Sequence, residues 1–144
     1  DDAVLSKRPV SQSIHVEPWE KYKQYAVDWT YDRVTNLYKR NNGGAPHIDR
    51  NTNKQLTSKN IVLLSMVETS ANDGYEDNAH LLYRTKGTGK AQVFMDGVKI
   101  TGTWKKDSRT SRLLLFDLAG ASIKFNRGTI WFHILPTDSV VGVK

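Results

Sequence analysis

Residues 92–104, Gln-Val-Phe-Met-Asp-Gly-Val-Lys-Ile-Thr-Gly-Thr-Trp, constrain this chain more than any other stretch. Asp96-Gly97 stands between two β-branched and aromatic runs. A two-residue type I′ turn demands positive φ at both central positions, which Asp and Gly tolerate well. The segment reads as a β-hairpin. Its second arm alternates: Val98, Ile100, Gly102 and Trp104 share one face, while Lys99, Thr101, Thr103 and Lys105 share the other. One face is buried and one is wet, so more sheet must cover the apolar side.

The rest of the chain is punctuated in the same way. Asn41-Asn42-Gly43-Gly44-Ala45-Pro46, Asn72-Asp73-Gly74, Ala119-Gly120 and Arg127-Gly128 are turn signals between short β-forming runs. Strands are expected over residues 12–16, 24–31, 37–39, 61–67, 80–85, 90–95, 98–104, 112–116, 123–125 and 130–135. The expected fold is mainly β, an antiparallel sandwich or partly closed barrel of about 8–10 short strands. Residues 17–25 allow one helical turn, with Pro18 suited to its start. The nearly continuous apolar run at 130–135 predicts a strand buried on both sides. Trp29, Phe94, Ile100, Trp104, Phe116, Trp131 and Ile134 are the predicted core. Residues 21–136 read as the domain, 1–20 as a linker or an added N-terminal strand, and 137–144 as a flexible tail.

At 144 residues the chain has the size of one domain that can bury a core without staples. Its lack of cysteine excludes disulfides, thiolate metal sites and cysteine nucleophiles. The start at Asp1-Asp2, with no Met and no charged-then-apolar pattern, suggests a processed product. No apolar run is long enough for a membrane span. The net charge of +6 is concentrated between Arg84 and Arg112, where eight bases face Asp96 and Asp107 while the remainder balances. Such a run attracts anionic partners, or simply keeps a hairpin solvated.

Two segments are candidate sites. Residues 41–60 form a long polar loop, and loops beyond about a dozen residues in a compact domain are commonly functional. His47 and Asp49 are two apart and share a face if extended, with Arg40 able to pair with Asp49 across the loop base. Alternatively, Asp49-Arg50-Asn51-Thr52 is an Asx-type turn whose carboxylate ties down its own backbone. Tyr38 and Asn60 flank this loop. The second segment, Trp104 to Arg112, is basic beside an aromatic: Lys105 and Lys106 supply point charges, Arg109 and Arg112 planar forks. Trp104 itself lies on an apolar face and reads equally as core. The two loops can form one surface only if both open at the end of the sheet opposite the Asp96-Gly97 turn.

Catalytic signatures are sparse. Gly87-Thr88-Gly89-Lys90-Ala91 lacks the spacing and the Ser/Thr after Lys of a phosphate-binding P-loop. His15, His47, His80 and His133 are scattered, so no metal site and no cofactor is expected. The leading functional class is a non-catalytic binding module. The alternative is a hydrolase or transferase using His47, Asp49 and Arg40.

The order of motifs carries a resemblance. Trp29-Thr30-Tyr31-Asp32, Tyr38-Lys39-Arg40, Gly44-Ala45-Pro46-His47-Ile48-Asp49, Leu56-Thr57 and Asn60-Ile61-Val62 resemble the first half of the C-terminal domain of the YerB-like lipoprotein family. Gly87-Thr88-Gly89-Lys90-Ala91, Phe94-Met95-Asp96-Gly97, Gly102-Thr103-Trp104-Lys105-Lys106 and Gly128-Thr129-Ile130-Trp131 resemble its second half. The likeness spans roughly Tyr25 to Pro136. It implies a protein lipid-anchored on the outer face of a bacterial, usually Gram-positive, cytoplasmic membrane, with a separate N-terminal domain before this one. The family brings no established activity. Expected partners are an anionic envelope polymer, a peptide or protein, and the absent N-terminal domain. Contact with the membrane would run only through an anchor outside this chain. Nucleic acid is disfavoured, because an extracytoplasmic address denies it most such substrates.

Overall fold

The computed structural model describes residues 2–74 and 80–144. Asp96 and Gly97 have φ of 56° and 73°. The expected turn therefore forms, joining β9 (Gly87–Met95) to β10 (Val98–Lys106) in a long antiparallel ladder. β11 (Leu114–Asp117) adds to the outer side of β10 and β6 (Asn60–Met66) to β9, both antiparallel. β12 (Ile130–Pro136) runs parallel beside β6, which gives a five-stranded sheet in the order β11-β10-β9-β6-β12.

The other large sheet is antiparallel. β1 (Ser13–Glu17), β2 (Val27–Asp32) and β3 (Leu37–Asn42) pair in sequence, with β13 (Val140–Val143) outside β1. The two-residue strands β4 (Ala45–Pro46) and β5 (Thr57–Ser58) both pair with β3. A separate ribbon joins β7 (Glu68–Ser70) to β8 (Leu81–Tyr83). Single 3-10 turns occupy Leu5–Lys7 and Lys23–Tyr25, the latter inside the stretch where a helical turn was expected.

The architecture is a sandwich of open sheets, and alternation along each strand explains its two cores. Ile14, Val16, Trp29, Tyr31 and Tyr38 of the antiparallel sheet meet Ile61, Leu63, Phe94 and Leu135 of the mixed sheet. The intervening residues of the mixed sheet, Val62, Leu64, Ala91, Val93, Trp104 and Leu115, form a second core on its far face. Leu113, Ile123 and Phe125 pack over that face. Ile123–Phe125 thus serves as cover rather than as the expected strand, tied by Ile123 N–H to the Leu115 carbonyl at 2.9 Å.

Several expectations are corrected. The strand buried on both faces is β6, whose Ile61 to Leu64 are all buried because it lies between β9 and β12. β12 is instead an edge strand that leaves Phe132 and Ile134 about half exposed, at 44% and 46%. Ile134 leaves the core list, while Ile100, Phe116 and Trp131 are only partly buried. The last residues are not a frayed tail. β13 pairs with β1 and packs Val141 and Val143 against the inter-sheet core, covering backbone groups that β1 would otherwise present at an open edge. The long loop is also partly folded, by β4, β5 and an Ile48–Gln55 bridge.

Candidate functional site

Arg40 is 7% exposed, projecting from β3 with its guanidinium carbon 4.8 Å from the Trp131 ring centroid and 5.9 Å from that of Trp29. Its Nη1 is hydrogen-bonded to His47 Nδ1, and Nη2 donates to Asn42 Oδ1 at 3.3 Å. Its Nε is buried without a partner, and no carboxylate pairs with it among the described residues. Burial lowers its pKa from the ordinary value, although a guanidinium keeps its proton in any protein. Beside it, His133 is pulled down to about 4, by burial first and then by the Arg40 charge. The imidazole is neutral at pH 7 and accepts a 3.0 Å hydrogen bond from Trp29 Nε1.

The expected Arg40–Asp49 pair does not form. Asp49 accepts from the backbone N–H groups of Asn51 (2.7 Å) and Thr52 (2.9 Å), the Asx turn foreseen as the alternative. Those donors hold its carboxyl below the usual range, Thr52 first. Tyr38 and Asn60 are fully buried ties. Tyr38 Oη donates to Gln12 and accepts from Gly97 N–H. Asn60 Nδ2 donates to the carbonyls of Asn126 and Thr129, and its Oδ1 accepts from Asn126 N–H.

In the second segment, Trp104 is 2% exposed and donates from Nε1 to the Ser65 carbonyl at 2.9 Å. Lys106 Nζ is folded back onto the carbonyls of Arg109 and Ser111, and Lys105 pairs with Asp107 at 3.3 Å. Arg109 and Arg112 stay exposed. Arg40 packs on the inter-sheet core, whereas Trp104 belongs to the core on the far face of the mixed sheet. Arg40 and Trp104 therefore pack on different cores, and no hydrogen bond or ion pair joins the two loops among the described residues.

A different constellation lies next to Trp104. β6 and β9 pair from Ile61–Phe94 to Leu64–Ala91 and then part, β9 continuing with β10 and β6 with β12. Two adjoining hollows of about 230 and 270 Å³ open at this fork. Arg84, Thr88, Gly89 and Trp104 line the first, Gln92 and Ser139 the second, while Ser65, Lys90 and Thr137 line both. No carboxylate is among the described lining residues. Gly89 is required at the floor: a Cβ there would sit 2.5 Å from Trp104 Nε1 and 2.7 Å from the Ser65 carbonyl oxygen, displacing their hydrogen bond. Gln92 Oε1 is buried with no partner among the described residues. The cleft thus offers two cations and several hydroxyls.

Residues 15–132 match the C-terminal domain of DUF3048, a protein family of unknown function. The chain belongs to this family. This DUF3048 domain also superposes on the crystal structure of YerB protein from Bacillus subtilis, with a TM-score of 0.76 at 22% identity. The likeness covers 92% of this chain and 44% of that one, so the domain spans less than half of YerB, and it bears out the YerB-like fold. No curated protein matches.

In this DUF3048 domain, sequence reasoning counted Arg84 and Lys90 in the basic run but did not single them out. Lys90 sat inside a motif dismissed as a false phosphate loop. The available signal was the pairing of Gly87 and Gly89 with a base at a strand start, since a glycine inside a strand marks the close approach of another group, at Gly89 the Trp104 indole and the Ser65 carbonyl.

Proposed function

We propose that this domain is a non-catalytic binding module that holds an anionic, hydroxyl-bearing partner in the fork between β6 and β9. The observation that carries this reading is that Arg84 and Lys90 line one cleft with no carboxylate among its described lining residues. Neither side chain has a hydrogen bond or ion pair among the described residues. A phosphate or carboxylate there would gain charge-assisted hydrogen bonds from both bases and from Ser65 or Thr137. An anionic wall polymer carries such groups. The extracytoplasmic, lipid-anchored address that makes such a polymer accessible rests on the YerB-like resemblance. A peptide or protein partner would engage through the same carboxylate chemistry.

The hydrolase or transferase alternative finds little support. Asp49 is committed to its own turn and Arg40 is buried under Trp131, which leaves His47 beside a cation instead of a nucleophile.

Binding of a poly(glycerol phosphate) chain, followed by calorimetry at several salt concentrations, tests the proposal. Affinity should fall with ionic strength as the charges are screened. The Arg84→Ala/Lys90→Ala variant should bind at least about tenfold more weakly. Its melting temperature should stay within about 3 °C, because neither side chain has a partner among the described residues. Undiminished binding by that variant would place the anion elsewhere and end this reading.

A further inference from the structure

A second surface, whose Glu68 follows the cleft residue Val67 in the chain, has the opposite chemistry. Trp19, Tyr22, Tyr25, Leu81 and Glu68 line an open groove of about 520 Å³. Tyr22 and Tyr25 are 53% and 54% exposed. Their rings and that of Trp19 are set at steep angles: Trp19 and Tyr25 meet edge to face at 83° with centroids 5.9 Å apart, and Tyr22 and Tyr25 at 46° and 6.4 Å. Two nearly perpendicular ring planes form the corner of a box rather than a flat platform. The carboxylate of Glu68 closes one side, held by Trp19 Nε1 at 3.2 and 3.3 Å and by the Tyr83 hydroxyl. No basic side chain is among the described residues lining it.

We infer that this groove is a cage for a methylated ammonium group. Aromatic faces attract cations through their quadrupoles, Trp most strongly, and the effect grows where water is displaced. Glu68 adds the matching formal charge. The hydrogen-bond inventory selects the kind of cation. A primary ammonium carries three donors that need acceptors. The charged acceptor in this groove is the Glu68 carboxylate, whose oxygens already receive Trp19 and Tyr83. A quaternary ammonium has no N–H to satisfy and presents methyl groups to the aromatic walls. A neutral sugar would stack on one ring but needs polar partners around its rim, and a corner of three rings beside one carboxylate supplies few.

The test uses the whole chain, with choline as the probe and 3,3-dimethyl-1-butanol as its uncharged isostere. Titration is followed by NMR at the Trp19 indole N–H, which reports directly on the Glu68 contact. Choline should shift that signal saturably, with Kd of about a millimolar. The isostere should bind at least about tenfold more weakly. Tyr22→Ala removes an exposed ring and Glu68→Gln removes the charge together with one acceptor oxygen, and each should weaken choline by about tenfold. Phosphatidylcholine vesicles distinguish a lipid headgroup from a free amine: co-sedimentation competed by choline assigns the headgroup, and binding of free choline alone assigns the small molecule. Equal affinity for the isostere, unaltered binding by Glu68→Gln, a preference for N-acetylglucosamine oligomers, or no saturation by about 100 mM choline would each overturn the cage.

Discussion

Trp29 of the antiparallel sheet donates its indole N–H to Nε2 of His133 on the mixed sheet, 3.0 Å away, so the two layers are pinned by a bond that requires an unprotonated imidazole. His133 is depressed to about 4 in the folded chain, against about 6.5 when unfolded. Above pH 6.5 both states hold it neutral and its contribution to stability is complete. Between about pH 6.5 and 4 the unfolded state binds the proton and the folded state does not, so stability falls with pH. Below about 4 both are protonated and no further loss arises from this group. The expected loss across the window is on the order of 3 kcal/mol. Urea midpoints at pH 7 and pH 4.5 should show it, and the pH dependence should shrink in His133→Gln, whose amide oxygen can accept the same N–H without titrating.

Arg40 presents the reverse situation, a charge buried with no counter-ion among the described residues. Desolvating a guanidinium is costly, and an apolar side chain of similar length recovers that cost while keeping contact with Trp131. Arg40→Met should therefore leave stability within about 1 kcal/mol of the parent, or raise it. Arg40→Ala, which also vacates the space over the ring, should cost about 2 kcal/mol or more. Denaturant unfolding of the two variants checks the order. If Met is the more damaging substitution, the guanidinium is stabilised by partners that the fold alone does not supply.

Truncation before Val140 removes β13 and uncovers both the β1 edge and the sites of Val141 and Val143. Losing two partly buried valines should cost about 2 kcal/mol, together with the Ser13–Lys144 backbone pair. The bared strand should also promote association between copies. Thermal melting and sedimentation of the shortened chain measure the two effects, and unchanged values in both would return these residues to the status of a tail.

What was legible in the sequence was what local chemistry dictates. Asp96-Gly97 announced its turn because positive φ is a property of those two residues. The alternation from Ile100 to Lys105 assigned faces correctly because the period of a strand is local, while Val98 at the turn stays 51% exposed. The Asp49 turn was legible for the same reason, as side chain and backbone donors lie within three residues. Lateral order was not legible. An apolar run such as 130–135 reads alike at the centre of a sheet and at its edge. Only the crossing of the chain after β11, tied down where Asn60 holds the carbonyls of Asn126 and Thr129, put β12 parallel to β6 with one flank open. The tail became a strand because β1 had an edge to cover, which no property of residues 140–143 by themselves reports. Arg84 and Lys90 meet in one cleft because β6 and β9 separate beyond Leu64–Ala91. Sequence determines dihedral preference and periodicity residue by residue, while the partners of each strand are chosen by packing between distant segments, and the tertiary structure alone decided those.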